Sequence, residues 1–269
     1  MFFLNETHFC DILKLLKKRE AAVDEKIKKL EYFIKESENI VFFGGAGVST
    51  ESGVPDFRSA DGLYNQHDIR FENYRPEYLL SHECLVREPE VFFEFYRQKM
   101  DARHIKPNAA HVLLAQLEKK GKLKAVVTQN IDGLHQKAGS VNVCEIHGST
   151  ERNYCAKCGM IYPADYIFES DERVPHCSCG GVVRCDVTLY GEQLPDDAVD
   201  RAIAAIRRAD MMIIGGTSLT VYPAASYVGF FHGKHIAIIN RDHLDYPLDD
   251  ERDVEINMPI GEVFSQLDI

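Results

Sequence analysis

Short apolar runs alternate along the chain with longer segments in which apolar residues recur every three or four positions. The runs predict strands of a parallel sheet, because strands buried on both faces are apolar throughout. They lie at residues 40–43, 123–128, 141–146, 211–214 and 235–239, with an edge strand expected at 253–256. The periodic segments predict helices over residues 1–37, 76–100, 108–120, 196–208 and 223–231. This alternation indicates an α/β protein with a doubly wound sheet.

The first apolar run leads directly into a glycine-rich segment. Residues 44–58 read GGAGVSTESGVPDFR. Gly45 and Gly47 allow a sharp turn close to a ligand, and Ser49 and Thr50 can cap a helix start whose free N–H groups suit a phosphate. This order is typical of a dinucleotide site, although Thr50 stands where the usual fingerprint has a third glycine. A tight strand-to-helix turn without a ligand is the alternative.

Polar side chains follow the other predicted strands at their carboxyl ends, the edge at which open α/β sheets bind ligands. They are Gln129, Asn130, Asp132, His147, Thr217, Ser218 and Asn240. Histidine titrates near neutral pH, so His147 is the candidate general base. His135 is its local rival, and we expect it to have a structural or loop-positioning role. Asn130 can hydrogen-bond a ribose or an ordered water without adding charge.

Four cysteines form two close pairs, Cys155-x-x-Cys158 and Cys177-x-Cys179, with 18 residues between the pairs. Two thiolate pairs on tight turns match tetrahedral zinc. The second pair is one residue shorter than usual, so His176 remains an alternative ligand. Four protein ligands leave no open position, so we expect one structural zinc per chain, which this small segment needs to fold.

Composition narrows the functional classes. With 269 residues and 45% apolar content, the chain can form one large domain or a large and a small one. No apolar run approaches the ~20 residues of a membrane span, and the beginning of the sequence does not resemble a secretory signal. The net charge of −11 argues against sequence-specific nucleic-acid binding and is compatible with basic peptide ligands. We therefore predict a cytoplasmic protein whose remaining cysteines are reduced.

Five segments resemble, in the same order, the motifs of the sirtuin family of NAD-dependent protein deacylases. They are residues 44–58, TQNIDGLH at 128–135, IHGS at 146–149, GTSL at 216–219 and IN at 239–240. The resemblance covers about residues 25–265 and implies three parts, with residues 1–24 as an N-terminal helical extension. These are a Rossmann-like NAD-binding domain (25–58, 105–148 and 187–269), a cofactor loop with a helical module (59–104) and an inserted zinc-binding module (149–186).

The resemblance implies a protein lysine deacetylase that consumes NAD and converts acyl-lysine peptides or proteins to free lysine, nicotinamide and O-acyl-ADP-ribose. It assigns catalysis to His147, Asn130 and Asp132, with His147 as the base and Asp132 accepting from the nicotinamide amide. The residues it assigns to NAD are Gly45, Ala46, Gly47, Ser49, Thr50, Phe57, Arg58, Gln129, Asn130, Ile131, Asp132, His147, Gly216, Thr217, Ser218, Asn240 and Arg241. Those it assigns to the substrate backbone are Val187, Leu189, Tyr190, Gly191 and Glu192.

Two positions depart from the family pattern. Cys185 replaces the usual proline and Tyr190 the usual phenylalanine, which bears on peptide preference and the acyl pocket. The tyrosine–arginine pair of desuccinylating sirtuins is not evident, so we expect acetyl or other neutral acyl groups. Two other functions remain open: mono-ADP-ribosyl transfer from the same NAD, and NAD sensing without catalysis. The presence of Asn130, Asp132 and His147 argues against the second.

Overall fold

A computed structural model describes residues 6–59, 62–65 and 68–269, and the side chains from residue 20 onwards. The strands are β1 (Ile40–Gly44), β2 (Leu123–Thr128), β3 (Val143–Glu145), β4 (Gly148–Cys155), β5 (Ile161–Pro163), β6 (Val183–Val187), β7 (Met211–Gly215), β8 (His235–Ile239) and β9 (Val254–Ile256). The α-helices are α1 (Glu6–Glu36), α2 (Pro76–Leu79), α3 (His82–Arg87), α4 (Pro89–Lys99), α5 (Ala109–Lys119), α6 (Leu134–Lys137), α7 (Asp165–Phe168), α8 (Asp196–Arg208) and α9 (Ile260–Phe264).

Six strands form one parallel sheet in the order β3-β2-β1-β7-β8-β9. Every residue of β1 and β7 is buried, as expected for strands covered on both faces. Helices α1, α5 and α9 pack on one face, and α8 packs on the other with a 3₁₀ helix at Ala224–Phe230. The doubly wound fold predicted from the sequence is confirmed, and its strand order reverses between β1 and β7.

A second, smaller sheet stands beside the first. It is antiparallel, with the order β5-β4-β6, and carries the four clustered cysteines at and beyond its strand ends. Its buried side chains and those of α2, α3 and α4 form one hydrophobic core, in which Phe92, Tyr96, Ile167 and Cys185 meet. Because this core joins the helical and zinc-binding modules, the domain boundaries predicted from the sequence stay predictions.

Three predicted elements differ from those observed. The helix predicted over 76–100 is three helices, because the Ser81 hydroxyl accepts from the Cys84 N–H at 3.0 Å and caps α3, and Pro89 begins α4. The segment 223–231 forms a 3₁₀ helix and not an α-helix. The third strand is shorter than predicted. Residues 1–5 of the first predicted helix lie outside the described residues.

The glycine-rich segment also differs from its prediction. It continues as two short 3₁₀ helices, Ala46–Val48 and Thr50–Ser52, and turns away at Gly53, whose φ is 91°. The Ser49 side chain caps neither of them. The prediction that the Ser49 and Thr50 side chains cap a helix start is therefore wrong: the Ser49 hydroxyl is engaged elsewhere, and the Thr50 hydroxyl donates to the Gly47 carbonyl at 3.0 Å.

Helix α1 has 31 residues, and its second half buries Ile27, Leu30, Phe33 and Ile34 in the core beneath the sheet. Neither α1 nor another helix within residues 6–59, 62–65 and 68–269 is long and apolar enough to cross a membrane.

Candidate active site

A cavity of about 1150 Å³ opens where β1 and β7 end, at the reversal of strand order. The loops after these two strands touch, since the Gly47 N–H donates to the Gly216 carbonyl at 2.8 Å. A Cβ atom on Gly47 would lie 2.8 Å from the Gly216 Cα atom, and Gly216 itself has a φ of 56°. Glycine at both positions therefore allows the two loops to meet and form the cavity floor.

Most residues predicted to bind NAD line this cavity. They are Gly45, Ala46, Gly47, Thr50, Phe57, Arg58, Gln129, Asn130, Ile131, His147, Gly216, Thr217, Ser218, Asn240 and Arg241. The five predicted substrate residues, Val187, Leu189, Tyr190, Gly191 and Glu192, line it as well. Ser49 and Asp132 are not among the lining residues; both are buried. Their predicted contacts with NAD stay predictions.

His147 lies just after β3, with its imidazole oriented by the backbone of the neighbouring strand end. Its Nδ1 atom is 2.9 Å from the Gln129 carbonyl oxygen. Because a carbonyl only accepts, Nδ1 carries the proton and Nε2 is left with its lone pair. Burial lowers the pKa of His147, against a smaller raising effect of this hydrogen bond, so the ring is neutral at pH 7. A neutral imidazole in the cavity wall is suited to accept a proton.

Asn130 is held from below by a buried chain of hydrogen bonds. Its Nδ2 atom donates to the Ser49 hydroxyl at 3.0 Å, and Ser49 donates to Asp132 Oδ2 at 2.7 Å. The other carboxylate oxygen of Asp132 accepts from the Leu134 N–H at 2.9 Å. Burial raises the pKa of Asp132, and these hydrogen bonds oppose the rise. The loops that follow β1 and β2 are thus joined directly beneath the cavity.

Two buried histidines lie behind this chain, and the sequence analysis did not connect either of them with Ser49. His111 Nε2 is 3.4 Å from the Ser49 hydroxyl, and its Nδ1 is 3.1 Å from Asn108 Oδ1. His135 packs edge-on against the His111 ring at 4.8 Å. Burial lowers the pKa of His111 to about 4, and burial together with His111 lowers that of His135 to about 3. The signal for His111 was its place three residues after the helix cap Asn108.

Aromatic and basic side chains meet at the rim of the cavity. The hydroxyl groups of Tyr64 and Tyr190 are 2.9 Å apart, and Arg58 Nη2 donates to the Tyr190 hydroxyl at 3.4 Å. The Phe57 ring packs against the Tyr64 ring with their centroids 5.5 Å apart. Burial and the hydrogen bond with Tyr190 raise the pKa of Tyr64 well above its usual range, so the phenol stays protonated. Sequence reasoning missed Tyr64 as a site residue.

The segment predicted to pair with substrate is fixed by a partly buried ion pair. Glu192 accepts from Arg184 Nη2 and from the Leu189 N–H, both at 2.9 Å, and from His82 Nδ1 at 2.9 Å. Burial favours a higher pKa, but these donors lower the pKa of Glu192 to about 2. The Tyr190 backbone is tied to the helical module as well, through its N–H to the Leu80 carbonyl at 3.0 Å.

The four predicted metal ligands converge on one point. The Sγ atoms of Cys155, Cys158, Cys177 and Cys179 all lie within 4.8 Å of one another, with two pairs at 3.5 and 3.6 Å. Four sulfur atoms about 2.3 Å from a zinc ion would be about 3.8 Å apart, so these thiols fit zinc. A Cβ on Gly181 would lie 2.7 Å from Cys155 Sγ, which explains the glycine there. The His176 ring faces Glu172, so Cys177 and not His176 completes the group.

The fold and this cavity define an α/β protein with a cavity at the switch point of its parallel sheet, the position where such folds bind dinucleotides, and with a cluster of four cysteines beside its smaller sheet. The sequence profile of the Sir2 family matches residues 45–223. The chain belongs to the Sir2 family, and the resemblance stated from its motifs is confirmed.

Curated relatives and solved structures agree with this assignment. The chain is 54% identical over 248 residues to an NAD-dependent protein deacetylase of Clostridium perfringens, covering 91% of this chain and 99% of the relative. It is 51% identical over 240 residues to one of Clostridium acetobutylicum, covering 89% and 96%. A structure described as Sir2 with a p53 peptide and NAD⁺ aligns with a TM-score of 0.76 at 37% identity, covering 89% of this chain and 96% of that one. A structure of Sir2Tm bound to a propionylated peptide gives a TM-score of 0.76 at 35% identity, with the same coverage.

Proposed function

We propose that this protein is an NAD-dependent protein lysine deacetylase that acts on acyl-lysine peptides. Its relatives carry that name, and related Sir2 structures contain NAD⁺, acetylated peptide or propionylated peptide. The placement of His147 carries the proposal for this chain. A neutral imidazole, with its proton fixed on Nδ1, stands in the wall of a cavity that also contains the glycine loops and the predicted peptide segment.

The two ends of the cavity suit the two halves of a dinucleotide. Gly45, Ala46 and Gly47 present backbone where phosphates can approach closely, and Arg58 adds a guanidinium at the rim. The loops after β7 and β8 bring Thr217, Ser218 and Asn240 into the cavity, where they would face the adenosine half. Gln129 is oriented by its donation to Thr217 Oγ1 at 3.1 Å. When bound, NAD would supply a ribose carbon whose bond to nicotinamide breaks as the amide oxygen of the acyl-lysine bonds to it. A ribose hydroxyl then takes the acyl group, and one water molecule is consumed as free lysine and O-acyl-ADP-ribose are formed.

The chain's own side chains have separate roles in this reaction. His147 Nε2 takes a proton from a ribose hydroxyl, which makes that hydroxyl a better nucleophile. Asn130 holds its amide at the reacting centre through Ser49 and adds no charge there. Phe57 and Ile131 supply apolar walls that limit water. The segment around Leu189 and Gly191 binds the peptide backbone by β-addition, and we expect acetyl or other neutral acyl groups. Zinc, held by the four cysteines, stabilises the small module.

Mass spectrometry of a panel of acyl-lysine peptides, incubated with and without NAD, tests this function. We expect NAD-dependent loss of acetyl groups with stoichiometric nicotinamide and O-acetyl-ADP-ribose. His147→Ala should abolish all three products and keep NAD binding, whereas the control His232→Ala, which changes an exposed histidine outside the cavity, should retain activity. ADP-ribose found on protein side chains would instead indicate a transferase. NAD binding without consumption would indicate a sensor.

A further inference from the structure

Tyr190 lies between the cavity residues predicted to bind NAD and those predicted to bind the peptide. Its side chain is 40% exposed and lines the cavity. Its hydroxyl reaches across to the segment that follows the glycine-rich loop, where it lies 2.9 Å from the Tyr64 hydroxyl and accepts from Arg58 at 3.4 Å. A phenol can accept one hydrogen bond and donate another at the same time, so Tyr190 can hold both partners together.

The backbone of Tyr190 is a firm anchor for these contacts. Its N–H donates to the Leu80 carbonyl and its own carbonyl accepts from the His82 N–H, both at 3.0 Å. Two residues later, Glu192 pairs with the buried Arg184 and fixes the same turn. The hydroxyl of Tyr190 is therefore presented from a rigid element, whereas its partners belong to a connecting segment with short 3₁₀ turns.

The contacts continue from Tyr64 to Phe57, one of the apolar side chains that line the cavity. The Phe57 ring meets the Tyr64 ring at 63° with centroids 5.5 Å apart, an edge-to-face arrangement. The Arg58 guanidinium lies 5.9 Å from the Tyr64 ring centroid, within reach of a cation–π contact. Displacing the Tyr64 phenol would therefore release two side chains that line the NAD site at once.

We propose that Tyr190 is a positioning residue for the NAD site, whose hydroxyl fixes Arg58 directly and Phe57 through Tyr64. The inference rests on the proposed function, since it assumes that Arg58 and Phe57 contact NAD. It gives Tyr190 two separate roles: its backbone belongs to the peptide segment, and its hydroxyl acts on the dinucleotide. Phenylalanine at this position would keep the first role and lose the second.

Tyr190→Phe tests the inference, with NAD binding measured by calorimetry in the absence of peptide. We expect the Kd for NAD to rise at least about threefold, because the hydroxyl loses its hydrogen bonds with both Tyr64 and Arg58, and each such bond is worth about threefold to tenfold. The KM for NAD should rise similarly, with kcat and the KM for peptide near the wild-type values. Tyr64→Phe removes the other hydroxyl but keeps the contact between Arg58 and Tyr190, so its effect should be no larger than that of Tyr190→Phe, and the double variant should bind NAD no more weakly than Tyr190→Phe. The matched control is Tyr78→Phe, which loses a hydroxyl bond to Glu88 away from the cavity.

Three results would overturn the inference: wild-type affinity for NAD in Tyr190→Phe, additive effects of the two substitutions, or a rise confined to the KM for peptide. A loss of thermal stability with an unchanged Kd would likewise show a merely structural tyrosine. Failure of the proposed function would look different, because the wild-type protein itself would then bind no NAD or leave acetyl-lysine intact.

Discussion

The buried hydroxyl of Ser49 offers a direct test of how the site is held together. Ser49 is fully buried, accepts from Asn130 Nδ2 and donates to Asp132 Oδ2. Ser49→Ala removes both hydrogen bonds and the 3.4 Å contact with His111 Nε2, and it leaves a buried amide donor and a buried carboxylate each without one partner. The substitution removes only one atom, so packing changes little.

The expected cost follows from the two partners. Leaving a buried polar group unsatisfied costs about 1–3 kcal/mol, and more when the group is charged. Allowing for relaxation, we expect Ser49→Ala to lower the free energy of unfolding by about 2–4 kcal/mol. For a chain of this size, each kcal/mol lowers Tm by roughly 2–4 °C. Because the Asn130 amide loses the hydroxyl acceptor that fixes its orientation, kcat/KM should also fall by at least about tenfold.

Urea unfolding followed by circular dichroism measures the stability term. The matched control is Ser52→Ala in the same turn, since the Ser52 hydroxyl has no hydrogen-bond partner among the described residues. A double-mutant cycle of Ser49→Ala with Asp132→Asn should give a coupling energy of about 1 kcal/mol or more. If Ser49→Ala is as stable and as active as Ser52→Ala, or if the cycle shows no coupling, the buried chain does not hold the site.

Three further predictions concern protonation and metal. Burial lowers the pKa of His147 below its usual value of about 6.5. In a pH profile, kcat/KM should therefore fall only below that pH, and an acid limb centred above pH 7 would contradict this. Unfolded His135 takes up a proton near pH 6.5, but the folded residue does so only near its lowered pKa of about 3. The free energy of unfolding should therefore decrease as the pH falls through this range, and less steeply in His135→Leu; equal slopes in urea titrations would refute it. Cys155→Ser should lose the bound zinc, measured by mass spectrometry of the metal, and should unfold the small module. The control Cys144→Ser, on β3, should keep its zinc. One zinc per chain in Cys155→Ser would exclude the site.

The strands of the sheet were predictable because they are short apolar runs, as expected for strands that are buried on both faces. Residues 123–128 and 235–239 are strands with the predicted bounds. The sequence predicted a doubly wound parallel sheet, but it did not predict which strands are neighbours in that sheet. The polar residues at the strand ends were found for the same reason: the carboxyl ends of parallel strands share one edge.

The features that the sequence did not reveal depend on contacts between distant segments. Ser49 has the local chemistry of a helix cap, yet its hydroxyl is drawn to Asp132, 83 positions away along the chain. Local propensity cannot anticipate such a partner. Tyr64 and Tyr190 are likewise separated by 126 positions, and neither reveals the other. The cysteine cluster was easier, because metal geometry imposes its own spacing.

The cavity is braced on both sides by contacts within the chain. On the sheet side, Gly47 and Gly216 fix the loops to each other, and Ser49 fixes Asn130. On the other side, the Arg184–Glu192 pair fixes the peptide segment. Groups already oriented towards a developing charge stabilise it without reorganising at the moment of reaction, which is where most electrostatic catalysis originates. Arg58 and Tyr64 reach Tyr190 across the cavity through their side chains, at 3.4 and 2.9 Å, so adjustment to bound NAD should be concentrated at these contacts.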